Sequence, residues 1–230
     1  MQRLAKWQLL VGLATVILLA VGLWMSLAAP LDFQQGNSVR ILYAHVPSAK
    51  MSLLIYLFVT GASIAFLWKK SETADILAEA AVPVGAAFSA VTLASGSIWG
   101  KPMWGAWWAW DARLTSMLVL LIIYVGLMAL RNAFDDQGKA ARATAVLAII
   151  GAIDLPIIHY SVTWWRTLHQ PASFDGPGKI SVQGPLLTPL LVMSAAFILL
   201  GIYLVLLNAR VVATRRRVES LEDEEAWNHG

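Results

Sequence analysis

Six stretches of this chain are apolar over 17 to 24 residues each: 8–29, 51–68, 77–98, 113–131, 144–160 and 185–208. No other feature narrows the possible folds as far. A helix rising 1.5 Å per residue needs about 20 apolar residues to cross a bilayer's hydrocarbon core. Within that core every backbone N–H and C=O must find its partner inside the protein, which a helix achieves within one segment. The pattern predicts an all-α integral membrane protein: one domain over 1–230, with six transmembrane helices. Only 13% of the 230 residues are charged, against about 25% in soluble domains. Strand-type alternation at roughly ten-residue spacing is missing, which argues against an outer-membrane barrel. The first stretch carries a cleavage-like Ser26-Leu27-Ala28. Its apolar run exceeds the about 7–15 residues of a signal-peptide core, so it is read as a retained span.

Lys and Arg set the expected orientation. One side of the six spans carries eleven of the seventeen: Arg3, Lys6, Lys69, Lys70, Arg131, Lys139, Arg142, Arg210, Arg215, Arg216 and Arg217. The other six are Arg40, Lys50, Lys101, Arg113, Arg166 and Lys179. Both termini, the connections 69–76 and 132–143 and a charged tail at 210–230 are therefore expected in the cytoplasm. The acidic segment Glu219–Gly230 is expected to be disordered. Connections 30–50, 99–112 and 161–184 then face outward, and the six basic residues of that side stand against Asp32, Asp111 and Asp175. An aromatic, mildly cationic outer surface suits an amphipathic anion. The basic residues sit mostly at span ends, so nucleic-acid binding is not implied. The chain has no cysteine, which excludes disulfides, thiol catalysis, iron–sulfur ligation and Cys-x-x-Cys-His haem attachment within it.

The fourteen residues Ile98 to Asp111, IWGKPMWGAWWAWD, hold five of the chain's eleven tryptophans: Trp99, Trp104, Trp107, Trp108 and Trp110. Indoles gather at headgroup depth in aromatic belts, and Trp7, Trp24 and Trp68 fit that account. A belt spreads its rings round the perimeter, however, and does not place four within seven residues. Were this stretch helical, Trp104, Trp107 and Trp108 would share a face by their i, i+3, i+4 spacing, with Asp111 at its edge. Such a face is a shelf for a flat aromatic ligand, whose carboxylates Lys101, Arg113 or Arg166 would pair with.

Four histidines are present. His229 lies in the acidic tail. His159 closes span five beside Tyr160 and reads equally as an interfacial residue or a ligand. His45 and His169 lie in two different outer connections. Two imidazoles on opposite faces of a porphyrin would make its iron six-coordinate. Alone, such a pair reads first as polar residues settled at the interface; the tryptophan loop shifts the balance towards haem. Asp154, about ten residues into span five, is either a functional intramembrane acid or a bonded carboxyl steadying a bend at Pro156. Glu79 is expected to snorkel to the interface. The small residues of span three, among them Gly85, Ser89, Ser95 and Gly96, favour close helix packing.

Together, Trp99-Gly100-Lys101-Pro102-Met103-Trp104-Gly105 and Trp107-Trp108-Ala109-Trp110-Asp111-Ala112-Arg113-Leu114-Thr115-Ser116 resemble the tryptophan-rich "WWD" signature of haem-handling proteins. More closely, the chain resembles the CcmC (haem exporter protein C) family of bacterial cytochrome c maturation. That likeness extends through Gln35-Gly36-Asn37-Ser38, Tyr43-Ala44-His45-Val46-Pro47, Phe134-Asp135-Asp136, Leu155-Pro156-Ile157-Ile158-His159-Tyr160-Ser161-Val162, Trp164-Trp165 and Thr167-Leu168-His169-Gln170. The resemblance implies six spans in the bacterial inner membrane and a periplasmic WWD loop at 99–113. It implies haem b as cargo, with His45 and His169 as axial iron ligands. It also implies transfer of haem to a membrane-anchored periplasmic chaperone, beside ABC transporter subunits and a very small membrane subunit. Met117 and Asp154 depart from the expected pattern, which has an acidic residue and a neutral amide there. A haem-presenting subunit that is not itself an enzyme is the first reading. A haem transporter across the bilayer and a haem lyase acting on apocytochrome are its rivals.

Overall fold

The computed structural model describes residues 2–169, 173, 181–182 and 184–229. Helix α1 (Gln2–Ala28) leads through a 3₁₀ turn (Asn37–Ile41) into α2 (Leu42–Lys69). Then come α3 (Glu72–Trp104), α4 (Ala112–Arg131), α5 (Gln137–Gly151) and α6 (Asp154–Trp164). A second 3₁₀ turn (Gly184–Leu186) opens α7 (Leu187–His229). Among the described residues, the only extended pairing is a single bridge between Asp32 and Gly36. Six segments are long and apolar enough to cross a membrane, α5 and α6 together forming one of them. The chain is an all-α membrane protein, as its hydropathy predicts.

The helix ends follow local chemistry. Ser71, Asp111 and Asp136 cap α3, α4 and α5, their side chains accepting the N–H groups of Ala74, Leu114 and Lys139. Each satisfies a donor that a helix start leaves unpaired. At Asp136 the bond from the Lys139 N–H also holds the carboxyl below its ordinary pKa.

Several boundaries differ from the sequence expectation. Helix α2 starts at Leu42, nine residues before the apolar stretch, and so includes His45. Helix α3 continues past Ile98 to Trp104, taking in Trp99 and Lys101. Hydropathy marks where a helix meets lipid, whereas the helix itself runs on until its chemistry changes. The fifth span is two helices. Pro156 has no N–H to give the carbonyl of Ala152, and its ring crowds that carbonyl. At Ala152 and Ile153 the backbone stays right-handed but tightens to bonds three residues back, and the Ala152 carbonyl accepts from Leu155 N instead. The acidic tail is not disordered as expected: α7 runs unbroken to His229. Its last twenty residues are mostly good helix formers, without glycine or proline, and Arg215 pairs with Glu219 one turn on.

Helix α3 lies at the centre, against α2, α4 and α7, while α1 leans mainly on α7. The main core joins Ile55, Tyr56 and Val59 of α2 to Val84 and Phe88 of α3 and Leu120, Tyr124 and Leu127 of α4. Tyr56 and Tyr124 meet edge to face at 5.1 Å. Their hydroxyls donate to the carbonyls of Ala148 (3.1 Å) and Ser52 (2.8 Å), so neither buried O–H lacks an acceptor. Close approach of α3 and α4 depends on Gly85, where any Cβ would collide with the Tyr124 ring. A smaller core of Val39, Leu42, Tyr43, Trp99, Leu190 and Met193 closes the bundle end that carries the tryptophan loop.

At the opposite end the bundle is closed by charge. Asp75 and Glu79 of α3 face Arg131 of α4 and Arg215 and Arg216 of α7. Four of these five side chains are only 10–12% exposed. Glu79 therefore does not snorkel: it bonds to Arg131 at 2.9 Å and to both α7 arginines.

Candidate functional site

His45 is the fourth residue of α2, at the end of its first turn, and is 7% exposed. His169 lies beyond α6 in the next connection at the same end of the bundle. The two rings, remote in sequence, stand with centroids 6.1 Å apart and planes 31° from parallel. Trp99 meets His45 edge-on at 5.6 Å, and Trp104 approaches His169 at 6.2 Å. His45 Nδ1 lies 3.0 Å from Ser95 Oγ.

Both histidines line a cleft of about 270 Å³. Leu53, Leu93, Met103, Met117 and Ile158 give it an apolar surface; Trp99, Trp104 and Trp108 form an aromatic wall. Lys50 and Arg113 bring positive charge to its lining, which also includes the exposed His159. Among the described residues, the buried Nε1–H of Trp108 meets no acceptor.

The tryptophan loop reaches this arrangement without the expected helical face. Helix α3 stops at Trp104 because Gly105 takes a left-handed conformation (φ 78°), and its N–H bonds back to the Lys101 carbonyl, the usual glycine helix stop. Residues 105–111 then run irregularly to the Asp111 cap of α4, held to α3 by Ser97 Oγ–H donating to the Trp107 carbonyl at 2.7 Å. Trp104 and Trp108 still share one wall. Trp107 and Trp110 do not line the cleft; they are 58% and 79% exposed. Lys101 also lies outside it, its ammonium donating to the Gly105 carbonyl at 3.0 Å. Arg166 is exposed and does not line it.

Asp111 is structural in its contacts. One oxygen accepts from Leu114 N at 2.8 Å, and the other accepts from Leu168 N at 3.3 Å. The same carboxylate thus starts α4 and tethers the connection that carries His169. Arg113 lines the cleft while its Nε donates to Ser161 Oγ (3.0 Å) and its Nη2 to the carbonyls of Ile158 and His159. Trp99 Nε1 donates to Gln35 Oε1 at 2.9 Å, which fixes the indole beside His45.

Two participants had no distinguishing sequence signal. Ser95 is one small residue among many in span three, and Lys50 reads as a span-end charge. Only the packing of α2 on α3 sets Ser95 behind His45 and brings Lys50 to the cleft. Asp154 stays outside it: buried at the start of α6, with one oxygen unbonded among the described residues.

A family model described as Heme exporter protein C matches residues 1–224. The chain belongs to that family. It is 52% identical to the Heme exporter protein C of Bradyrhizobium diazoefficiens over 213 residues, covering 93% of this chain and 81% of that protein. Identity to the Escherichia coli K12 Heme exporter protein C is 46% over 200 residues, covering 86% of this chain and 80% of that one. A ccmC-like mitochondrial protein of Marchantia polymorpha, named for cytochrome c biosynthesis, is 42% identical over 207 residues, or 89% of this chain and 87% of that one.

Proposed function

We propose that this chain is a haem-binding membrane subunit of cytochrome c maturation, which presents haem b at the outer face and gives it to a membrane-anchored haem chaperone. The family membership supports a haem-handling role, and the name of the Marchantia polymorpha relative supports the cytochrome c context. The observation that carries the reading is the histidine pair. A metal–imidazole bond is about 2 Å long, and a ring centre lies roughly 1 Å behind its nitrogen, so one shared ion sets centroids about 6 Å apart. The observed separation is 6.1 Å.

In this reading His45 and His169 hold the iron from its two faces, and Trp99, Trp104 and Trp108 pack on the macrocycle. Trp107 and Trp110, with Asp111 and Lys101 shaping the loop, form the rim from which haem leaves. Arg113, supported by Lys50, meets the propionates, and the buried Trp108 N–H suits an acceptor on the ligand. No nucleophile is needed, because the chain holds and releases its cargo; it is not an enzyme. The Lys and Arg asymmetry supports cytoplasmic termini and a periplasmic site in the bacterial inner membrane, with membrane lipid around a single six-span domain. ABC transporter subunits and a very small membrane subunit are its partners.

The test is transfer from the purified, haem-loaded protein. Haem should pass to the chaperone, and mixing with apocytochrome alone should give no thioether. Thioether formation without the chaperone would make the chain a lyase. Asp154→Asn should leave delivery unchanged; its loss would point to a conduit through the bilayer.

The Asp111 tether gives a further expected result. Asp111→Ala should lower stability by about 1 kcal/mol through the lost α4 cap and weaken haem binding by freeing the Leu168–His169 segment. Asp111→Asn, still a good cap, should keep the stability but bind haem less tightly than wild type. Thermal unfolding and haem titration of both variants separate the two roles.

A further inference from the structure

The His45 imidazole is seated against α3, and the hydrogen bonds there decide which ring nitrogen carries the proton. Nδ1 lies 3.0 Å from Ser95 Oγ. That hydroxyl has a single proton, and it is directed to the Val91 carbonyl at 2.6 Å, with the Thr92 carbonyl at 3.2 Å. Two oxygens 2.6 Å apart need a proton between them, since otherwise their lone pairs face each other. Ser95 Oγ therefore meets Nδ1 with a lone pair, and the proton in that contact belongs to the imidazole. A second observation concerns space. A Cβ on Gly96 would lie 3.0 Å from His45 Cε1 and 3.5 Å from Nδ1, so the ring rests on the bare backbone of the next residue. Trp99, one turn beyond Ser95, closes the third side edge-on.

We infer that Ser95 and Gly96 are positioning residues, Ser95 fixing His45 as its Nδ1–H tautomer and Gly96 seating the ring, with Nε2 as the nitrogen offered to a metal in the cleft. Only the metal rests on the haem reading above; the tautomer belongs to the ligand-free protein. Metal-ligating histidines generally donate their second N–H to an acceptor that fixes the ring and raises its basicity. Here the acceptors are neutral oxygens, the Ser95 hydroxyl with the Thr92 carbonyl beside it, and not a carboxylate. They hold the ring's direction while adding less basicity, which suits a site whose cargo must leave.

The experiment is ¹⁵N spectroscopy of the full-length, haem-free protein, labelled at histidine, in detergent at about pH 8, above the unperturbed imidazole pKa of about 6.5. A His45→Gln variant identifies the His45 signals. The wild type should show Nδ1 protonated and Nε2 bare. Ser95→Thr should keep this state, since threonine carries the same hydroxyl and makes the same i−4 carbonyl bond. Ser95→Ala should move the proton towards Nε2. In parallel haem titrations Ser95→Ala should bind about tenfold more weakly, within the roughly 10–100-fold cost of an outer-shell loss, and Ser95→Thr should recover. Gly96→Ala should bind haem more weakly with the tautomer unchanged. A wild-type His45 protonated at Nε2, or an unaltered tautomer in Ser95→Ala, overturns the inference. A correct tautomer in a protein that binds no haem upholds it and overturns the haem reading instead.

Discussion

His45→Ala and His169→Ala are each expected to abolish the six-coordinate haem spectrum of the detergent-purified protein. Each removes one axial ligand from a pair whose ring centroids are 6.1 Å apart. His159, exposed in the cleft lining and T-shaped against Tyr160 at 4.6 Å, is not expected to substitute. The affinity loss should exceed the roughly 10–100-fold associated with outer-shell changes. The two variants should respond differently to added imidazole. His169 is half-buried on a connection, so the space left by its ring is open to a small molecule. His45 is 7% exposed and enclosed by Ser95, Gly96 and Trp99. Free imidazole should therefore restore six-coordination more readily in His169→Ala. A wild-type spectrum in either variant would remove that histidine from the site and reduce the tryptophan loop to an interfacial anchor.

Arg131→Ala should cost about 3 kcal/mol of stability and leave the haem spectrum unchanged. The Arg131 guanidinium forms a two-pronged pair with Asp75, at 2.8 Å on each prong, and reaches Glu79 at 2.9 Å. Its side chain is 12% exposed. Breaking a buried pair by removing one partner costs about 3–5 kcal/mol because the remaining charge stays desolvated. The lower end applies here, since Arg216 still neutralises both acids and Arg215 still meets Glu79. Arg131→Lys should recover only part of the loss, because an ammonium cannot match both carboxylate oxygens in one plane. Thermal unfolding in detergent checks this, with the exposed Arg142→Ala as a control expected within about 0.5 kcal/mol of wild type. A stable Arg131→Ala protein would show that apolar packing alone holds the ends of α3, α4 and α7.

Much of this architecture is legible in the chain because membranes impose a one-dimensional rule. Length and hydropathy alone predict six crossing segments, and the small residues of span three predict close packing that Gly85 and Tyr124 display. The Pro156 bend is equally local, because a missing N–H and a crowded carbonyl act within one turn. The composition of the site is also visible early, since five tryptophans in fourteen residues exceed what an aromatic belt explains. What failed was inference from periodicity across Trp104. A regular helix would align Trp104, Trp107 and Trp108, but Gly105 turns the chain left-handed and ends the helix. Glu79 was misread for a different reason: its partners lie on α4 and α7, far along the chain, and no local pattern announces them.

The sequence by itself thus determined the solvent this protein folds in, the number of its crossings and the residue types gathered at one end. Those properties depend on composition and on interactions within a turn or two. The tertiary structure alone decided which of those residues converge. It brought His45 to His169, left Trp107 and Trp110 at the surface and made Lys101 a helix cap. It turned Asp111 into a tether, and it placed Ser95 behind His45. Each of these outcomes depends on how α2, α3, α4 and α6 approach one another, a matter of volumes and hydrogen-bond partners separated by dozens of residues.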